Sequence, residues 1–332
     1  MNKSLVCIGA LFEPKTQFVN EEKMGKFIFR RVLGLIPTMF LIVSFSFFII
    51  RFAPGGPFSS EKKLPPEIMQ NLLKKYDMDA PLFKQYVHYM GNALRGDLGP
   101  CLKNKDYTVA ELISISLPNS LILGVVALSL ALILGVIVGV VSALNRNTKI
   151  DYATMSAAVI GISVPLFVVG PVLMLVLAVK LKWLPTSGWI NGRAGLKTLV
   201  MPAITLSFPY FAYIARLSRA SILEILRSDY IRTARAKGLK QSVVVFKHVL
   251  KGALLPVVSY LGPAFAGIVT GSVVVEQIFL VPGLGNFFVK SALNRDYNLI
   301  MGTVIVYSFI LVVMNLLVDI IYGLLDPRIS YK

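Results

Sequence analysis

The chain has 332 residues, of which 55% are hydrophobic and only 15% charged, with a mean hydropathy of +0.71. Soluble globular domains are nearer a quarter charged. Several apolar runs here reach the ~20 residues that cross a hydrocarbon core. This composition excludes a soluble enzyme, and continuous apolar runs do not fit the weakly alternating strands of a membrane β-barrel. The net charge of +17 is spread among the loops between spans, which reads as positive-inside topology and contact with anionic membrane lipid, not as a nucleic-acid surface.

Residues 1–31 form an N-terminal segment ending in Lys23, Lys26, Arg30 and Arg31, a cluster that places this end in the cytoplasm. Met24 opens MGKFIFRR as a natural start would, so residues 1–23 read as an extension or as the result of where the reading frame was begun. The early run SLVCIGALF is too short for a signal peptide, and the first span acts as an uncleaved anchor. That span covers residues 32–50, with Pro37 in its first turns, where proline is best tolerated. Residues 51–116 are polar. After Pro65 and Pro66, the spacing of Ile68, Leu72, Leu73 and Tyr76 predicts short amphipathic helices in a small extracytoplasmic subdomain.

A second span is expected over 117–144, followed by a short polar connector at 145–151. The third covers 153–179, where Pro165, Pro171 and several small residues predict kinks and close helix packing. In the loop 180–197, Trp183 and Trp189 suit an interfacial belt, although its four cations fit an outer loop poorly. Spans 4, 5 and 6 are expected over 199–216, 257–279 and 299–325, with a Pro/Gly turn and a short amphipathic piece between the last two and a cytoplasmic tail at 327–332. The fold class is therefore all-α: a polytopic membrane protein with six transmembrane helices, a helical insertion after the first, and both termini in the cytoplasm.

No catalytic constellation is present. His88 and His248 have no partner at metal spacing, and Cys7 and Cys101 are too far apart for a metal or disulfide framework. The one Gly-Lys pair, Gly25–Lys26, is followed by Phe27, so there is no phosphate-cradling GxxxxGK[ST] loop and any ATP must be bound by another chain. Glu276 and Asp319 fall near span ends, as interfacial caps or pair partners. An ion-coupled carrier more often buries such groups in mid-span.

The most basic stretch is 227–256, where Arg227, Arg232, Arg235, Lys237, Lys240, Lys247 and Lys251 stand against Asp229 alone. Asp229 favours a helix start, residues 230–237 continue it, and Gly238 stops it. A second helix is predicted over 241–251. Ala234 and Ala236 are small and leave room for another protein's surface near the turn. Physical chemistry leaves two readings open: a loop on anionic headgroups, or an element that enters a partner's groove.

The run YIRTARAKGL, with ALLP after it, resembles the cytoplasmic EAA loop of ABC importer permeases, in the form found in the peptide-importer branch. Arg232, Thr233 and Ala234 stand at the Glu-Ala-Ala positions and Gly238 at the family glycine. Arg232 replaces the glutamate, so no role of that carboxylate carries over. Leu255–Pro256 also fall later than in the short generic pattern. FIFRRVLGLIPTMF, RGDLGPCLKNKDYTV, GPAFAGIVTGSVVVEQIFLVPGLG, SALNRDY and DPRISY are similar, in order, to B-type permease subunits of oligopeptide importers.

The resemblance implies a type I ABC importer permease fold, with the permease domain at 117–326 and the coupling segment 227–256 within it. It implies ATPase coupling through Tyr230, Arg232, Thr233, Ala234, Arg235, Ala236 and Gly238. The expected partners are a second, C-type permease, two ATPase subunits that bind the ATP, an extracytoplasmic peptide-binding protein and the peptide itself, in a bacterial cytoplasmic (inner) membrane. The subdomain at 51–116 would dock the binding protein or gate entry. No cofactor or metal is expected on this chain, and no peptide-contacting residue is assigned. Dipeptide, nickel and glutathione permeases are the related alternatives. Cys101 stands where relatives commonly carry a small hydroxyl residue, and a neutral replacement is expected.

Overall fold

The computed structural model describes residues 21–58, 66–76, 78–104, 106–190 and 195–325. Among these the chain is helical apart from one isolated bridge between Pro100 and Thr108. Helix α1 spans Glu21–Phe52. Because the good helix formers ahead of the first apolar run extend it upstream, Pro37 lies in its interior and not in its first turns as expected. There its ring removes one N–H from the helical ladder.

Two short helices follow, α2 (Pro66–Lys75) and α3 (Leu82–Leu94). The expected amphipathic insertion is thus present, and it has little core of its own. Tyr86 and Tyr89 of α3 pack on Phe47 of α1, with ring centroids 5.5 and 5.9 Å away. The Ser44 and Tyr86 hydroxyls lie 2.7 Å apart.

Helix α4 runs over Val109–Leu144. It begins eight residues before the expected start at 117 because Thr108 and Glu111 form a capping box. Thr108 Oγ1 accepts the Glu111 N–H at 3.2 Å, and a Glu111 carboxylate oxygen accepts the Thr108 N–H at 2.8 Å. The expected third span is not one rod. Helices α5 (Lys149–Ser163) and α6 (Leu166–Lys180) meet at 108°. Pro165 disfavours the helical region for the residue before it, and Val164 is extended at φ −89°, ψ 121°.

Helix α7 covers Lys197–Ile225. The next elements are α8 (Asp229–Ala236), α9 (Gln241–Ala253) and α10 (Leu255–Gly271), with a 50° bend between the last two. Helices α11 (Val273–Phe279) and α12 (Leu284–Asn294) meet at 98°, and α13 (Tyr297–Leu325) completes the described chain. Four of the six expected spans are single long apolar helices: α1, α4, α7 and α13. The third is the bent pair α5–α6, and the fifth is carried by α10 and α11.

The centre of the bundle is the contact between α4 and α7. A methyl group on Gly135 would lie 2.8 Å from the Ile214 side chain, and one on Gly139 would lie 2.5 Å from Ser218 Cβ. Only glycine lets the two backbones approach this closely. Trp183 is 67% exposed, whereas Trp189, expected in the same interfacial belt, is buried. Trp189 packs in the core near Leu199 and Phe279, and its indole N–H donates to Asn119 Oδ1 at 2.7 Å. A tryptophan that is buried finds a partner for its one polar atom.

Candidate functional site

The bundle has two ends, one carrying Gly238 and the other Asp296. At the Gly238 end, α8 starts after Ser228, with Asp229 in its first turn as expected. Thr233 Oγ1 donates to the Asp229 carbonyl at 3.0 Å. Arg232 reaches Asp229 only at 3.5 Å, with both side chains largely in the open, where such pairs contribute little. Gly238 closes the helix at φ +74°, and its N–H donates to the Arg235 carbonyl at 2.9 Å. This left-handed position is the stop expected of that glycine.

One face of α8 is buried. Ile231 and Ala234 pack with Ala143 of α4, Ile222 of α7, and Val244, Val249 and Ala253 of α9. The α8–α9 hairpin is therefore seated directly on the joined ends of α4 and α7. Ala234 belongs to that seat, so its small side chain serves internal packing and not an outer docking surface, contrary to expectation. Tyr230, Arg232, Thr233, Arg235, Ala236 and Gly238 are all exposed. A methyl group on Gly238 would meet nothing within 4 Å. Helix α9 contains a π turn over Val244–Val249, and Phe246 within it is exposed.

Beneath the hairpin lies a polar tie that the sequence reading did not find. Asp151, buried in the first turn of α5, receives Arg219 Nε and Nη2 of α7 at 2.8 Å each. It also accepts the Ser142 hydroxyl of α4 and the Asn147 N–H, the latter at 2.9 Å. One carboxylate thus joins three helices. A clue was present: an acid at the start of one apolar span and an arginine near the end of another.

At the Asp296 end, Glu276 is fully buried and is not an interfacial cap. It accepts the hydroxyls of Ser120 and Ser272 at 2.7 and 2.6 Å, and the Asn286 N–H at 3.1 Å. Ser120 in turn accepts the Leu284 N–H at 2.8 Å. This cluster holds the turn between α11 and α12. A methyl group on Gly283 would come within 2.3 Å of the Glu276 carboxyl carbon, so the turn is built around the acid. The side chain of Asp319 lies outside the described residues, as do Cys7 and the DPRISY tail.

Asp296, also buried, accepts the N–H groups of Leu102 and Lys103 at 2.9 and 3.1 Å, and that of Leu299 at 3.2 Å. It fastens the loop after α3 to the start of α13. Burial pushes its carboxyl above the usual range, and the three N–H groups oppose that shift. Cys101 is buried beside it. Desolvation, with the nearby Asp296 and Glu111 charges, pushes the thiol up to about 12, which makes it inert. Among the described residues no group of three or more His, Cys, Asp or Glu side chains is placed to hold a metal. His88 lies on α3 and His248 on α9, at separate elements.

Residues 131–331 match the family described as "binding-protein-dependent transport system inner membrane component", and residues 24–116 match the N-terminal membrane component of such systems. The chain belongs to this family of inner-membrane transport components. It is 48% identical over 308 residues to the oligopeptide transport system permease protein OppB of Haemophilus influenzae. It is 49% identical over 308 residues to OppB of Escherichia coli K12. Both alignments cover 93% of this chain and all of the relative. A chain in an inward-facing structure of the MetNI methionine ABC transporter superposes with a TM-score of 0.54 at 22% identity, over 65% of this chain and 96% of that one. That likeness is one of fold: the helical arrangement of an ABC importer permease.

Proposed function

We propose that this chain is a permease subunit of an ATP-driven oligopeptide importer and forms half of the path across the bacterial inner membrane. The observation that carries the reading is the α8–α9 hairpin. Its inner face is wedged against α4 and α7, while its outer face offers exposed Tyr230, Arg232, Arg235 and Gly238 to a partner. A chain without a nucleotide-binding motif needs such a surface to draw on ATP. The full-length identity to oligopeptide permeases supports the substrate class.

In this reading the Gly238 end is cytoplasmic, as are both termini, and the insertion α2–α3 faces the other side. Two ATPase subunits close on ATP and push the hairpin. The buried Ile231 and Ala234 pass that movement to α4 and α7, and the path shared with a second, C-type permease switches its access. A separate binding protein delivers the peptide at the Asp296 end. Switching of this kind requires that ATP and peptide bind the two states unequally.

The test is to reconstitute this chain in proteoliposomes with a second permease, two ATPases and a binding protein, and to follow labelled peptide. ATP-dependent uptake that stops when any one partner is left out is expected. Gradient-driven uptake by this chain alone would replace the proposal with an ion-coupled carrier. Salt-sensitive association without any uptake would replace it with a membrane scaffold.

A further inference from the structure

The exposed surfaces of the spans differ in chemistry. Along α4 the exposed side chains include Ile122, Val125, Ile133, Leu134 and Ile137, an apolar stripe suited to hydrocarbon. The seam between α7 and α10 is different. Tyr210 and Tyr213 of α7 lie there with Tyr260 of α10, and the rings of Tyr213 and Tyr260 are 4.2 Å apart at 30°. Opposite Tyr210 stands Gly267, where a methyl group would come within 2.8 Å of the phenol oxygen. The glycine leaves the space that this hydroxyl needs. One turn beyond Tyr213, Arg216 opens onto a cleft of about 410 Å³, walled on the far side by Met155 and Val159 of α5.

Arg219 on the same cleft is engaged by Asp151. Arg216 is not engaged: among the described residues it has neither ion pair nor hydrogen bond, and the same holds for the three phenol groups. Tyr210 and Tyr213 sit near the middle of α7. Hydrocarbon gives unpaired polar groups no partner. Polar side chains within a span face the bundle interior or a water-filled cavity and mark substrate paths, and Arg216 stands at the end of the fourth span on the same face. Lipid is therefore a poor occupant of this seam.

A peptide fits it. Phenol groups donate to main-chain carbonyls and accept from main-chain N–H groups, which every peptide offers whatever its sequence. Their ring faces take side chains of many kinds. A free guanidinium pairs with the C-terminal carboxylate that every unmodified peptide carries. We propose that Tyr210, Tyr213, Tyr260 and Arg216 form a wall of the translocation path that holds the moving peptide by its main chain and its C-terminal carboxylate. This rests on the reading of the chain as an oligopeptide permease.

The test uses the complete reconstituted transporter with the same binding protein in every assay, so that a changed preference belongs to the membrane chain. Tetra-alanine is compared with its C-terminal amide. The wild type is expected to carry the free acid faster. Arg216→Gln should lower free-acid uptake about tenfold, the scale of one charge-assisted hydrogen bond, and abolish the preference. Arg216→Lys should keep it.

An independent measurement uses a chain with Cys7 and Cys101 both changed to Ser. Tyr213→Cys should react with a charged methanethiosulfonate, and tetra-alanine with the binding protein should slow that reaction. Ile137→Cys should stay unreactive. An Arg216→Gln transporter with normal uptake and unchanged preference overturns the wall. So does an unreactive Tyr213→Cys, which would place lipid or the second permease on the seam, or a reactive one that peptide does not protect. A wild-type complex that carries no peptide at all overturns the permease reading, and the wall with it.

Discussion

Arg219 grips Asp151 with two separate nitrogens, Nε and Nη2, each 2.8 Å from a different carboxylate oxygen. The acid is buried, while the arginine side chain keeps 27% of its surface exposed. Through Ser142 the same carboxylate also reaches α4. The pair clamps the start of α5 to the ends of α4 and α7, on which the α8–α9 hairpin rests.

Breaking that clamp from the acid side leaves a partly buried guanidinium without its partner. We expect Asp151→Ala to cost roughly 2–3 kcal/mol, below the full range for a wholly buried pair because Arg219 is partly solvated. Arg219→Lys keeps the charge but loses the fork, and should cost less. Thermal unfolding in detergent, followed by tryptophan fluorescence, measures both. An Asp151→Ala protein that melts with the wild type would show that the pair has no structural role.

Gly238 separates backbone strain from partner contact. Its φ of +74° penalises any side chain, yet there is open space around it. Gly238→Ala should therefore cost about 1 kcal/mol of hairpin stability and leave transport largely intact. Gly238→Trp adds bulk on the outer face alone. We expect it to uncouple ATP hydrolysis from uptake while membrane insertion is normal. Equal uptake by the two variants would mean that nothing docks at this turn.

At the other end, Glu276 and Gly283 should be equally sensitive. Glu276→Ala leaves the Asn286 N–H without its acceptor in a buried site, a loss of about 1–3 kcal/mol. Gly283→Ala drives a methyl group into the carboxyl carbon. Both variants should loosen the turn between α11 and α12, seen as faster proteolysis within 280–285 in right-side-out vesicles. A Gly283→Ala chain as resistant as the wild type would argue against the crowding.

Cys101 gives a pH test. Its thiol is pushed up from 9.0 to about 12, so at pH 8 the thiolate is about a thousandfold scarcer than for an unshifted thiol. In a Cys7→Ser chain, iodoacetamide should barely label Cys101 at pH 8, and mass spectrometry should show complete labelling after denaturation. Raising the pH favours the reactive form, so labelling of the folded chain should increase steadily from pH 8 to pH 10. Rapid labelling at pH 8 would place the thiol in an open, polar site.

The apolar runs carry most of the fold, since a hydrocarbon solvent leaves helices as the way for such segments to satisfy their backbone. Pro165 announced a kink, but not its size: a 108° break depends on what each arm then packs against. The Thr108-Val-Ala-Glu111 run is a capping box visible in the sequence, and hydropathy alone hid it by starting the span at its apolar part. The α8–Gly238–α9 unit was legible because helix-forming runs are local and a helix-stopping glycine is local too. Ala234 was misjudged because a small residue suits an inner face as well as an outer one. Glu276 and Asp151 stand out as acids beside apolar runs, but their pairing was not legible, because Ser120 and Arg219, their partners, lie 156 and 68 residues away.

Gly135 and Gly139 bring the backbones of α4 and α7 into close contact, so that the two helices pack as one unit. Helix α4 alone has 36 residues, a rod about 54 Å long at the helical rise. A tilt of about 10° at the Gly238 end would swing its far end by about 9 Å. That is about the distance between the axes of two packed helices, so in the proposed transporter a small rotation beneath the hairpin would open a gap about one helix wide at the Asp296 end.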